Sequence, residues 1–74
     1  MKTMTCKQLG GACELEFTAN TFDEIAGMSQ QHGKEMFAAN ETGHMAAMGA
    51  MMELMKSGQM DSWMAARKAE FEAL

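Results

Sequence analysis

Two thiols and two imidazoles are the groups in this 74-residue sequence best suited to chemistry: Cys6, Cys13, His32 and His44. Thiolate sulfur and imidazole nitrogen are the donors that zinc prefers in proteins. We therefore expect Cys6, Cys13 and His32 to be candidate metal ligands, with His44 or a water molecule in the fourth position. Zinc is the ion that this donor set favours.

The spacing of the cysteines leaves other interpretations open. Six residues separate Cys6 from Cys13, whereas familiar zinc knuckles have a C-x2-C spacing. Taken alone, the spacing favours two small buried cysteines and a hydrogen-bonded core histidine at position 32. A third interpretation is a thiol pair that forms a disulfide reversibly.

A β-hairpin over residues 2–18 would bring the thiols together. Apolar and polar residues alternate on both sides of Gly10, which is typical of half-buried strands. A glycine at this point supplies the positive φ of a tight turn. With Leu9 and Gly10 as the turn, the predicted pairs are Gln8 with Gly11, Cys6 with Cys13, and Met4 with Leu15. Both thiols would then lie on the buried face.

Three helices are predicted after the hairpin, covering residues 21–38, 41–56 and 59–73. The first begins with a capping box of Thr21 and Glu24, and the second is capped by Asn40 or Thr42. The inward face of the first helix is predicted to hold Phe22, Ile25, Ser29, His32 and Met36, with Ala26, Gly33 and Phe37 alongside. The predicted fold class is α+β, with the element order β-β-α-α-α.

The second helix carries a stripe of methionines. The sequence has 11 Met and no Val or Tyr. On a helix, five of these methionines share an arc of about 120° with His44, namely Met45, Met48, Met51, Met52 and Met55. Such a face predicts a methionine core, a Cu(I) site built from thioethers, or a surface for a second copy of the chain. A metal-free protein that self-associates through this face is the main alternative to a metal-binding protein.

Length and charge exclude several classes of function. The length of the chain predicts one small domain that covers residues 1–74. Its net charge of −4, without a basic cluster, argues against nucleic-acid binding. An apolar run of about 20 residues, as a membrane span needs, is missing, and the first residues do not read as a secretory signal. We expect a cytoplasmic protein with reduced thiols. Because no catalytic or nucleotide motif is found, we do not expect an enzyme.

The N-terminal half resembles a family of small bacterial and archaeal proteins with a domain of unknown function, described as predicted small metal-binding proteins. The similarity lies in the pattern M-K-T-x-T-C-K-x-L-G-G-x-C-x-x-E at the start of the chain, followed by a Thr-capped acidic helix that contains His32. The resemblance implies that Cys6, Cys13 and His32 are metal ligands. Members often have a further histidine on that helix, where this chain has Phe37 or its neighbours. His44 is the residue that would replace it.

Overall fold

The N-terminal segment forms a two-stranded antiparallel sheet. In the computed structural model, which describes residues 1–74, β1 covers Lys2–Thr5 and β2 covers Glu16–Ala19. The paired residues are Lys2 with Ala19, Thr3 with Thr18, Met4 with Phe17, and Thr5 with Glu16. The hairpin is confirmed, but its predicted register is wrong by two residues, because Met4 lies opposite Phe17 rather than Leu15.

The register differs because the connection between the strands is a folded loop, not a tight turn. A single turn of 3-10 helix covers Lys7–Leu9 and ends at Gly10, which has a φ of 91°. The carbonyl of Cys6 accepts hydrogen bonds from the N–H groups of Leu9 and Gly11. Hydrogen bonds inside the loop therefore pair backbone N–H and C=O groups that would pair across the strands in a regular hairpin. A shift of two residues preserves the face of each side chain, so Met4 stays buried.

Three helices follow the sheet, in the predicted order β-β-α-α-α, which makes the fold α+β. They are α1, Phe22–Ala38; α2, Thr42–Lys56; and α3, Met60–Glu72. The capping box of Thr21 and Glu24 is present at the start of α1. The predicted cap of α2 is wrong, because Glu41 fills that position and Asn40 adopts a left-handed conformation with a φ of 55°. None of the three helices has the length and apolar character that crossing a bilayer requires.

The apolar core lies where the sheet, the start of α1 and the end of α3 meet. Its buried members are Met4, Cys6, Leu9, Phe17, Ala19, Phe22, Ile25 and Phe71. α1 contributes buried residues only from its first turns, so Phe37 at its far end is 57% exposed, contrary to prediction. The only buried residue of α2 is His44.

Candidate metal centre

The structure brings four potential ligands together at one point. Each of Cys6, Cys13, His32 and His44 offers one sulfur or nitrogen atom, and these four atoms lie within 4.8 Å of one another. Cys6 Sγ is 3.4 Å from His44 Nε2, and Cys13 Sγ is 3.3 Å from His32 Nε2. In a tetrahedral zinc site the ligand atoms are about 3.3–3.8 Å apart, given the usual Zn–S and Zn–N bond lengths. The four groups could therefore hold a metal ion with only small shifts.

The loop after β1 fixes both cysteines through its backbone. The N–H of Cys6 donates to the carbonyl of Leu15 (2.8 Å), and the N–H of Lys7 donates to the carbonyl of Cys13 (2.9 Å). Gly11 passes so close to the Cys6 sulfur that a Cβ at this position would overlap with it. The loop thus requires glycine at position 11 because a side chain there would occupy the space of the Cys6 sulfur. At Gly10 the reason is different, since that residue has a positive φ.

His32 reaches the cluster from α1. Its ring is half-buried and packs edge-on against Phe17, with 5.7 Å between the ring centroids. The rings of His32 and His44 are also nearly perpendicular, with centroids 5.0 Å apart. The aromatic contact and the second imidazole hold His32 in the orientation that points Nε2 at Cys13.

His44 reaches the cluster from the first turn of α2, and Glu41 orients it. Nδ1 of His44 lies 2.5 Å from a Glu41 carboxylate oxygen, which accepts a hydrogen bond from the Nδ1–H group. The same carboxylate caps α2 by accepting the backbone N–H groups of Gly43 and His44. With Nδ1–H hydrogen-bonded to Glu41, the neutral imidazole has its Nε2 lone pair on the side of Cys6. Carboxylate partners of this kind commonly support metal-binding histidines.

The environment shifts the pKa values of four groups. Hydrogen bonds from the His44 backbone and side chain lower the pKa of Glu41, and the Glu41 carboxylate raises the pKa of His44. A hydrogen bond from the Leu15 backbone, helped by His32, lowers the pKa of Cys13 to about 7. Burial raises the pKa of Cys6 above its usual value. Cys13 is therefore readily available as a thiolate at neutral pH, whereas Cys6 needs a cation to favour its ionisation.

Sequence reasoning missed Glu41. The signal that could have found it is its position three residues before His44 at the start of a helix, where one carboxylate can both cap the helix and reach the imidazole. The four candidate ligands were all predicted from sequence, and the structure brings all four together.

The methionine face of α2 is divided in the structure. Met48 and Met51 are half-buried and Met52 is 53% exposed, and all three line a cleft beside the cluster. Met45 and Met55 are 39% and 62% exposed. The five methionines therefore do not all belong to the core, which was one of the three interpretations of this face. Self-association through this face stays a prediction.

Both cysteines are free thiols in the structure. Their sulfur atoms belong to the group of four ligand atoms within 4.8 Å, so a reversible disulfide also stays a prediction. The chain matches no protein-family model, no curated protein and no solved structure. The resemblance of its N-terminal half to small metal-binding proteins likewise stays a prediction.

Proposed function

We propose that the protein binds one zinc ion through Cys6, Cys13, His32 and His44. The observation that carries the proposal is the convergence of these four side chains, from the loop, α1 and α2, within 4.8 Å. The two Cys–His hydrogen bonds would be enough to pair the polar side-chain atoms within each Cys–His pair. They do not explain why the two pairs meet, whereas a shared ion does.

The donor set favours zinc among common cations. Two thiolates and two neutral imidazoles make a borderline-soft, tetrahedral set, which suits zinc, while Mg²⁺ and Ca²⁺ prefer oxygen ligands. The two thiolate charges also balance the charge of Zn²⁺, so the buried centre is neutral. A neutral centre loses less solvation energy than a charged one at a site where Cys6 and His44 are 2% and 5% exposed.

The site that we propose is structural rather than catalytic. Four protein ligands complete a tetrahedron and leave no open position for a substrate or a reactive water molecule. The ion instead links the loop, α1 and α2, so that its binding energy becomes folding energy. Such a link suits a chain in which 9 of 74 residues are buried, since a core of this size stabilises a fold only marginally.

Native mass spectrometry of protein purified without chelators tests the proposal. We expect one zinc per chain, lost on treatment with EDTA, and a higher melting temperature when zinc is restored. The variants Cys13→Ser and His32→Ala should lose the ion. The matched control Ser29→Ala, on the same face of α1, should retain it. Protein that contains no stoichiometric metal, and whose melting temperature zinc does not change, would overturn the proposal.

A further inference from the structure

A cleft of about 570 Å³ opens between α1, α2 and the loop, directly beside the cluster. Cys6 and His44 form part of its wall, so the cleft gives access to two of the four proposed ligands. Met48, Met51 and Met52 of α2 lie in the same wall. No aspartate or glutamate lines the cleft, although the chain as a whole is acidic.

Two of the methionine side chains in this cleft, Met48 and Met51, pack on glycines close to the proposed ligands. The sulfur of Met51 packs on Gly10, 2.9 Å from where a Cβ would stand, and the sulfur of Cys6 packs on the following residue, Gly11. A thioether and a thiol thus lie over consecutive glycines of one loop. The methyl group of Met48 packs 3.6 Å from the equivalent point on Gly33, the residue after His32.

We propose that this cleft admits Cu(I) to the cluster and that thioethers of Met48, Met51 and Met52 join Cys6 in binding it. The inference rests on the proposed function, because it takes Cys6 as a metal ligand. Thioether sulfur is a soft donor that selects Cu(I), whereas zinc is bound by thiolate, imidazole and carboxylate. The proposed donors are three neutral thioethers and one thiolate, whose single charge balances that of Cu(I); Lys34 is the one permanently charged side chain elsewhere in the wall.

The alternative is that these methionines only fill space. Replacement by leucine distinguishes packing from metal binding. Leucine occupies a similar volume and usually replaces methionine with little loss of stability, but it has no sulfur. The test variant carries Met48→Leu, Met51→Leu and Met52→Leu. A matched control carries Met28→Leu, Met45→Leu and Met55→Leu, which change three exposed methionines outside the cleft.

Cu(I) affinity is measured without oxygen, by competition with the chelator bicinchoninate, and zinc affinity is measured in parallel on the same proteins. We expect the cleft variant to bind Cu(I) at least about tenfold more weakly, with zinc affinity changed less than about twofold. The control variant should match the wild type for both ions.

An unchanged Cu(I) affinity in the cleft variant would overturn the inference, as would an equal loss in the control. A parallel loss of zinc affinity would also overturn it, since that result shows damaged packing rather than lost ligands. Failure of the wild type to bind zinc, with the Cu(I) difference intact, would contradict the zinc proposal and support the role of the thioethers.

Discussion

The helices α2 and α3 are similar in length, yet different kinds of side chain attach them to the rest of the molecule. α3 is anchored by Phe71, which is 3% exposed and packs edge-on against Phe22 with 6.0 Å between centroids. The ammonium of Lys2 lies over the same ring, 5.2 Å from its centroid. α2 has one buried residue, His44, whose partners are a thiol and a carboxylate.

One fold here combines two kinds of attachment. Burial of a phenylalanine stabilises α3 in any buffer, because the hydrophobic effect does not depend on pH or on an ion. A buried imidazole stabilises α2 only while its polar atoms are paired. We therefore expect the position of α2 to depend on the metal and that of α3 to be independent of it.

Removal of zinc should have the largest effect and should act mainly on α2. If free zinc exceeds the dissociation constant a thousandfold, its removal lowers the free energy of unfolding by about 4 kcal/mol. Amide hydrogen exchange should then become much faster in Thr42–Lys56 than around Ile25 in the core. Equal acceleration in α2 and α3 would show that the two attachments are not separate.

The variant Phe71→Ala should have the next largest effect and should act independently of the metal. Loss of a buried phenylalanine lowers the free energy of unfolding by about 3 kcal/mol. Urea unfolding should give the same loss with and without zinc, because the partners of the Phe71 ring, Phe22 and Lys2, are not proposed ligands. If the wild type is too unstable for this comparison, Phe71→Leu provides a milder change. A loss that appears only in zinc-free protein would contradict independent attachment.

The variant Glu41→Gln should weaken the attachment of α2 without removing a ligand. Loss of the carboxylate that orients a metal-binding histidine lowers metal affinity by about 10- to 100-fold. Zinc titration against a competing chelator measures the change. Glu53→Gln, on the same helix and 3.9 Å from Lys56 at the surface, is the matched control and should leave zinc affinity unaltered. Equal affinities in the two variants would exclude the proposed role of Glu41.

Zinc binding should also depend on pH. At pH 7 Cys6 is protonated because its pKa is raised, and Cys13, with a pKa of about 7, is about half protonated. Zinc must displace these protons, so its affinity should fall as the pH is lowered from 8 to 6. Calorimetry in buffers of different ionisation enthalpy should detect at least one proton released per zinc. A heat of binding that does not depend on the buffer would show that the thiols are not ligands.

The sequence predicted those features that depend on local chemistry. The capping box of Thr21 and Glu24 needs only residues three positions apart, and it correctly located the start of α1. Helical periodicity placed His32 on the inner side of α1, and the alternation of apolar residues placed Met4 and Cys6 on the buried face. The proximity of the cysteines was predicted from a wrong register. Cys6 and Cys13 are not a cross-strand pair, and the folded loop after β1 brings them together instead.

Features that depend on tertiary packing could not be read from the sequence. The hairpin register depends on hydrogen bonds inside the loop after β1, such as that from Gly11 to the carbonyl of Cys6. Phe37 has the right spacing for an inward residue, but the sheet covers only the first turns of α1. The role of Glu41 requires knowing that His44 turns towards the loop, which no helical period shows.

X-ray absorption at the zinc edge, on zinc-loaded protein, would identify the atoms that surround the ion. A centre made of Cys6, Cys13, His32 and His44 predicts two sulfur neighbours at about 2.3 Å and two nitrogen neighbours at about 2.0–2.1 Å from the ion. A shell of nitrogen and oxygen atoms alone, or one sulfur in place of two, would contradict the account, because the loop thiols would then not hold the metal that attaches α2.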